Sequence, residues 1–367
     1  MTDTAANDVL FTQRGGLGVV TLNRPQALNA LSLGMVRSIT AHLLHWQNDS
    51  SVHAVALRGA GRSGKPPAFC AGGDIRAFHE AARTGAPMIE DFFTEEYSLD
   101  HFLHYYPKPT FAFMDGTTMG GGMGLAQGAA VRIVTEHSRL AMPETLIGFF
   151  PDVGGGWFLS RCEGRLGEYL ALTGHTLDAA EAIHVGLADV FVPSADMQML
   201  LESMGDQPHD TPEQWRAVVA TRAQQPPNAP RLAAVREAID LHFAAASLPD
   251  LLHSLQSDSS PWAKEVLATL AERSPLMLAV TLEQIRRARS MTLAETLRLE
   301  RGMVRHCFDH SSDLAGDTVE GIRALVIDRD RQPRWSPARV DDVRPETVSR
   351  FFESPWPAFS HPLRHLR

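Results

Sequence analysis

Residues 115–156, DGTTMGGGMGLAQGAAVRIVTEHSRLAMPETLIGFFPDVGGG, constrain the fold of this chain more than any other stretch. Two glycine triplets, 120–122 and 154–156, enclose short apolar runs, a Pro143-Glu144 pair and a second carboxylate, Asp152. An apolar strand over 110–114 runs into the first triplet. Beyond it, Leu125, Ala126, Ala129 and Ala130 predict the buried stripe of a short helix. Glycine at a strand-to-helix junction lets a ligand approach bare backbone, and a helix start leaves N–H groups without intrahelical acceptors. That is the makeup of an anion or oxyanion site, although a tight turn or close helix packing accounts for the same glycines.

A second segment has the same character. Residues 69–76, FCAGGDIR, turn at paired glycines after a short apolar entry, and Asp74 is placed to cap a helix that begins with Ile75 and Arg76. Two such segments supply two backbone N–H donors. If they converge, they suit a thioester carbonyl that gathers negative charge in its intermediate. The spacing leaves convergence open.

AFCAGGDIRAF, DGTTMGGGMGL and MPETLIGFFPDVGGG, in this order and separation, resemble the crotonase (enoyl-CoA hydratase/isomerase) superfamily, and within it the 3-hydroxyisobutyryl-CoA hydrolase family. The resemblance is dense over residues 19–192 and returns at SPLMLAVT from Ser274 and at EGIRALVIDRDRQPRWSP from Glu320. It implies an α/β fold with a spiral core of ββα turns followed by a mainly helical C-terminal region. The expected division is a core over 1–200 holding the CoA and acyl site, and a helical region over 201–367 packing on it.

The resemblance also implies roles residue by residue. The N–H groups of Gly73 and Gly121 form the oxyanion hole, Glu144 is the catalytic glutamate shared with hydratases, and Asp152 is the additional acid of the hydrolases. Glu96, in TEEYSLD, lines the acyl pocket, and Ala71, Asp74, Ile75 and Gly121 join Glu144 and Asp152 in binding substrate. A charge on an amphipathic helix faces solvent by default, which is the competing reading of Glu96. For Asp152 the competing reading is an N-cap of a helix starting near Val153.

One departure from the hydratase pattern discriminates. Hydratases carry a second catalytic glutamate two residues after the GGG triplet, where this chain has Met123-Gly124. Hydration needs a water held between two carboxylates, and glycine supplies none. The expected reaction is hydrolysis of a short 3-hydroxyacyl-CoA thioester, 3-hydroxyisobutyryl-CoA of valine catabolism being the simplest substrate. Glu144 then attacks the carbonyl or activates water, while Asp152 handles the hydroxyl or protons with a raised pKa among Phe149, Phe150 and Trp157. An enoyl-CoA isomerase or atypical hydratase, and a non-catalytic acyl-CoA-binding subunit, remain the alternatives.

Composition narrows the classes. The 367 residues exceed a typical single domain, and 34 basic against 43 acidic side chains give a net charge of −9. That balance offers no electrostatic encouragement for nucleic acid or an anionic membrane, so the CoA phosphates must find local donors such as Arg24, Arg62 or Lys65. Cys70, Cys162 and Cys307 are scattered and odd in number, which predicts a reducing compartment without a disulfide framework. The opening MTDTAANDVLF has no basic amphipathic pattern, and the expected location is cytoplasmic.

GAGRSGK over 59–65 satisfies two nucleotide-loop patterns, yet Pro66-Pro67 stop the helix that both require. His101 and His104 stand alone on a helix, with no HExxH pattern, and no GxSxG elbow is present. The expectation is chemistry with no metal and no cofactor besides the CoA of the substrate itself. A homo-oligomer is expected as an option of the family.

Overall fold

The computed structural model describes residues 8–61, 64–206, 209, 211–309 and 314–367. Its strands are β1 (Val9–Arg14), β2 (Leu17–Leu22), β3 (Ala54–Gly59), β4 (Ala68–Cys70), β5 (Thr110–Met114), β6 (Thr117–Met119), β7 (Val131–Val134), β8 (Arg139–Ala141) and β9 (Val190–Phe191). Between and after them run α1 (Leu33–Asn48), α2 (Ile75–Thr84), α3 (Met88–His104), α4 (Gly121–Gln127), α5 (Gly155–Ser160), α6 (Leu166–Thr173), α7 (Ala179–His184), α8 (Ser194–Asp206) and α9 (Pro212–Ala220). The remainder is helical: α10 (Arg236–Phe243), α11 (Leu248–Ser257), α12 (Pro261–Ala271), α13 (Pro275–Ala288), α14 (Leu293–Phe308), α15 (Asp317–Ile322) and α16 (Pro345–Arg350).

The strands alternate between two sheets. A six-stranded sheet has the order β1-β2-β3-β5-β7-β9, and a three-stranded sheet the order β4-β6-β8. From β3 onward, therefore, each odd strand enters the large sheet and each even strand the small one, which is a spiral of ββα turns. Pairing in the large sheet is parallel throughout except for the antiparallel β1–β2 hairpin. Parallel sheets are covered on both faces, and β2, β3 and β5 accordingly read as near-continuous apolar runs.

The chain forms two compact units. The first holds the residues up to Gly73, Ser98–Leu140 and Thr176–Pro230; the second holds Asp74–Tyr97, Ala141–His175 and Arg231–Arg367. In the first, Leu17, Val19, Ala56, Phe111 and Ile133 line one face of the large sheet. Leu200 and Met204 of α8 and Trp215 of α9 pack in the same apolar cluster. Residue 200, expected to end the core, falls inside α8. In the second unit, α13 packs on α5 and α6, burying Met277, Leu278, Val280, Ile285 and Ala288.

Two local expectations are corrected. The apolar spacing of Leu31, Met35, Ile39 and Leu43 predicts a helix over 28–46, but it begins only at Leu33, because Pro25–Ala27 form a 3₁₀ turn, Leu28 and Asn29 adopt φ 52° and 58°, and Ser32 caps the helix through Met35 N. Ala130, expected in the buried stripe of α4, is exposed; α4 ends at Gln127 and Ala130 leads into β7. After β3, the described part of the 59–65 loop passes through Pro66-Pro67 into β4 with no helix, and Arg62 lies outside the described residues.

Candidate active site

The two glycine segments meet within the first unit. Strands β4 and β6 pair in parallel, Ala68 with Thr117 and Cys70 with Thr118, and each runs directly into its glycines. Gly72 has φ 101° and Gly120 φ 49°, values an L side chain rarely adopts. A Cβ at Gly72 would lie 3.2 Å from Met119 O and 3.5 Å from Gly121 N, and one at Gly122 only 2.3 Å from Cys70 O. The loops thus touch backbone to backbone, which only glycine permits here. Gly121 is the first residue of α4, so its N–H has no intrahelical acceptor. Ala71 N–H is taken up by Leu28 O, and Gly72 O accepts from Leu31 N.

Asp74 behaves as its sequence predicts: its carboxylate accepts from Ala77 N at 3.4 Å and caps α2, of which Ile75 is the first residue. That bond uses Oδ1 and leaves the second carboxylate oxygen outside the cap.

The acids gather in the second unit. Glu144 opens a 3₁₀ turn, Glu144–Ile147, which Gly148 closes in the left-handed conformation. Its side chain is 7% exposed, and its Oε2 has no hydrogen-bond partner among the described residues. A buried carboxyl oxygen left bare is costly unless it serves a ligand or water. Asp152 is 5% exposed, and Tyr97 Oη donates to its Oδ2 at 2.8 Å.

Burial pushes the Glu144 carboxyl well above its usual range, and the charge of Asp152 adds to the effect. Burial likewise pushes Asp152 up to about 7, against the pull of the Tyr97 hydrogen bond. Tyr97 is itself raised well above its ordinary value, first by burial and then by the charges of Asp152, Glu300 and Glu96. Buried carboxyls raised in this way hold a proton near neutral pH, so one can act as acid while the other acts as base or nucleophile.

Of the three aromatic residues expected around Asp152, two are buried. Phe149 and Phe150 are buried and 4.5 Å apart, and Phe93 and Phe308 join Phe149 at 6.1 and 5.9 Å. Trp157 is only half-buried and carries the Arg161 guanidinium 4.2 Å over its ring. Glu96 is 2% exposed, so the default of a solvent-facing charge fails.

The capping role weighed for Asp152 is not the one its carboxylate plays. The N-cap of α5 is Gly154, and the N–H groups of Gly154 and Gly156 donate to Glu300 Oε2 and Oε1 at 2.7 and 2.9 Å. Gln284 Nε2 donates to Pro151 O at 2.7 Å and to Glu300 Oε1 at 3.0 Å. Burial raises Glu300 to about 8, although its three N–H donors pull the other way.

Tyr97, Gln284 and Glu300 were missed by the sequence reading. Each left a signal. Glu300 stands on the apolar stripe Leu293, Leu297, Val304, Cys307 of α14, and Gln284 on the stripe Met277, Thr281, Ala288 of α13. A polar side chain at a core position needs a partner.

The sequence profile named enoyl-CoA hydratase/isomerase matches residues 17–352, nearly the whole chain. The chain belongs to the enoyl-CoA hydratase/isomerase family. Among its relatives in this family, the mitochondrial 3-hydroxyisobutyryl-CoA hydrolase of Rattus norvegicus is 40% identical over 96% of this chain and 90% of the relative. That of Danio rerio is 39% identical over 96% and 91%. A solved family structure described as a carnitinyl-CoA dehydratase from Mycobacterium thermoresistibile superposes with a TM-score of 0.85 at 38% identity, covering 94% of this chain and 96% of that one. Another, described as an enoyl-CoA hydratase from Rhodobacter sphaeroides, gives 0.85 at 38% identity, covering 95% and 98%.

Proposed function

We propose that this chain hydrolyses 3-hydroxyisobutyryl-CoA to 3-hydroxyisobutyrate and CoA. The observation that carries the reading is the buried acid pair Glu144 and Asp152, together with near full-length similarity to 3-hydroxyisobutyryl-CoA hydrolases. In this reading the N–H groups of Gly73 and Gly121 take the thioester oxygen as it becomes an oxyanion. The ionised fraction of Glu144 attacks the carbonyl and expels CoA thiolate, leaving a mixed anhydride that water cleaves; or it takes a proton from water that attacks directly. Asp152 binds the 3-hydroxyl and delivers a proton to the departing sulfur, a task suited to an acid raised to about 7. Glu96 lines the acyl pocket, with Ala71, Asp74 and Ile75 along the substrate. No cofactor is used beyond the CoA that the substrate carries.

A hydratase reading draws on the two structures described as a hydratase and a dehydratase. Gly124 stands against it, since it offers no carboxylate to hold a second side of the water. CoA release measured with a thiol-reactive dye, beside loss of crotonyl-CoA absorbance, decides. Thiol release that Glu144→Gln lowers by about a thousandfold or more, the scale of losing a base or nucleophile, is expected. Hydration of crotonyl-CoA without thiol release would overturn the proposal, and absence of both reactions with retained binding would make the chain an acyl-CoA-binding subunit.

A place in valine breakdown, a cytoplasmic location and assembly into a homo-oligomer belong to the same proposal. The relatives are named as mitochondrial proteins, so cell fractionation is the test of location. No described helix is long and apolar enough to cross a membrane.

A further inference from the structure

We propose that Glu300 and Gln284 are positioning residues that clamp the left-handed turn carrying Asp152, and so set where its carboxylate stands. This rests on the hydrolase reading for its catalytic meaning, but its geometry stands alone. Asp152 is followed by Val153 at φ 53° and Gly154 at φ 82°. A β-branched residue in the left-handed region is a true outlier and persists only where its surroundings impose it. The imposition is visible on both sides of the acid. On its N-terminal side Gln284 Nε2 holds Pro151 O at 2.7 Å; on its C-terminal side Glu300 holds Gly154 N and Gly156 N at 2.7 and 2.9 Å.

Gln284 and Glu300 also bond to each other at 3.0 Å, and both are fully buried. The two side chains form one bracket over residues 151–156. It fits closely: a Cβ at Gly156 would stand 3.0 Å from Glu300 Oε1 and 3.2 Å from Gln284 Nε2. Tyr97 then fixes the carboxyl group itself. The groups that face Asp152 in charge are Tyr97, Glu144, Glu300 and Cys307. Backbone and side chain of the acid are therefore held separately, the first from α13 and α14 and the second from α3.

The test compares Glu300→Gln, Gln284→Met and the double change Glu300→Gln with Val153→Gly. Glycine adopts the left-handed turn without a clamp, so a clamp that acts through this turn is partly replaced by it. Three readouts are taken: kcat and KM for CoA release, the melting temperature, and the carboxyl ¹³C titration of Asp152, assigned through Asp152→Asn.

Glu300→Gln is expected to lower kcat about tenfold or more with KM changed less than threefold, and to move the Asp152 titration. Adding Val153→Gly is expected to recover a substantial part of the lost kcat even as it lowers the melting temperature. Because Glu300→Gln also removes a charge that faces Asp152, the titration is judged on Gln284→Met. A merely structural role would lower the melting temperature while leaving kcat, and the Asp152 titration of Gln284→Met, in place, and Val153→Gly would recover nothing; that result overturns the proposal. Should Glu300→Gln fail to fold, Gln284→Met carries the same expectations for kcat and for the Asp152 signal. If the wild-type protein releases no CoA but the Asp152 titration still responds to both clamp variants, the hydrolase reading falls and the clamp stands. If the titration does not respond, the clamp falls whatever the substrate.

Discussion

Tyr97 and Asp152 share a hydrogen bond in a buried site, and the bond favours the charged form of the acid over its neutral form. Removing it with Tyr97→Phe leaves burial opposed only by a backbone hydrogen bond, so the Asp152 value of about 7 should rise further. A hydrogen bond to a charged group is worth about 1.5–3 kcal/mol, or about one to two pH units. The limb of the pH–rate profile that reports this acid should move upward by about one pH unit in the phenylalanine variant. An unmoved limb would mean that another group titrates there. Glu144 and Asp152 were legible from their motifs, because the glycines and the Pro-Glu pair fix them locally. Tyr97 was not, because its meaning depends on meeting a residue far along the chain. Glu300 was hidden for the same reason: its partners are the N–H groups of Gly154 and Gly156, which no spacing on α14 announces.

At the scale of elements, the small sheet places the glycine segments. Gly122 stands inside α4, where helix propensity alone favours alanine by about 1 kcal/mol. The added methyl would meet Cys70 O at 2.3 Å, so β4 and α4 would have to separate. Overpacking of this kind costs about 1–3 kcal/mol, and backbone atoms yield less readily than side chains. Gly122→Ala should therefore lower the urea midpoint despite its better propensity; an unchanged or higher midpoint would show that the two loops do not press together. The strand over 110–114 and the helix after the first glycine triplet were legible because apolar periodicity is local. The start of α1 was not. Buried Asn29, just before it, gives Nδ2–H bonds to Ala60 O and Ala68 O, and such distant acceptors turn a stretch that reads as helix into a left-handed turn. The burial of Glu96 shows the converse, a charged residue on an amphipathic helix that tertiary packing has drawn inside.

For the whole molecule, the raised carboxyls have a thermodynamic signature. Glu144, Asp152 and Glu300 hold protons more tightly folded than unfolded, so their contribution is complete below about pH 4, and is lost as pH climbs toward about 7 for Asp152 and about 8 for Glu300. Asp49, Asp258, Glu295, Glu320 and Asp330 are held low by hydrogen bonds, so their contribution is complete throughout this window and is lost only at more acid pH. Between pH 5 and 8 the raised acids should therefore lower stability, against a smaller gain from His42 and His361, whose imidazoles burial holds below their usual value. Glu300→Gln should flatten the fall, since every tenfold difference in proton affinity between the folded and the unfolded chain is worth about 1.4 kcal/mol. Urea midpoints across that window measure it; a midpoint rising with pH would refute the raised values.

The alternation of strands between two sheets bears on how such a chain finds its shape. In the large sheet Leu17 and Leu22 of the hairpin meet Arg14 and Val9 close by, but Val55 must find Thr110 and Ile133 must find Val190. Loop-closure entropy has to be met before those distant pairings reward it, which slows folding and leaves strand edges open while the chain searches. Each turn of the spiral also inserts a strand of the other sheet between two strands of this one, so both sheets are wound together from alternating segments of the chain.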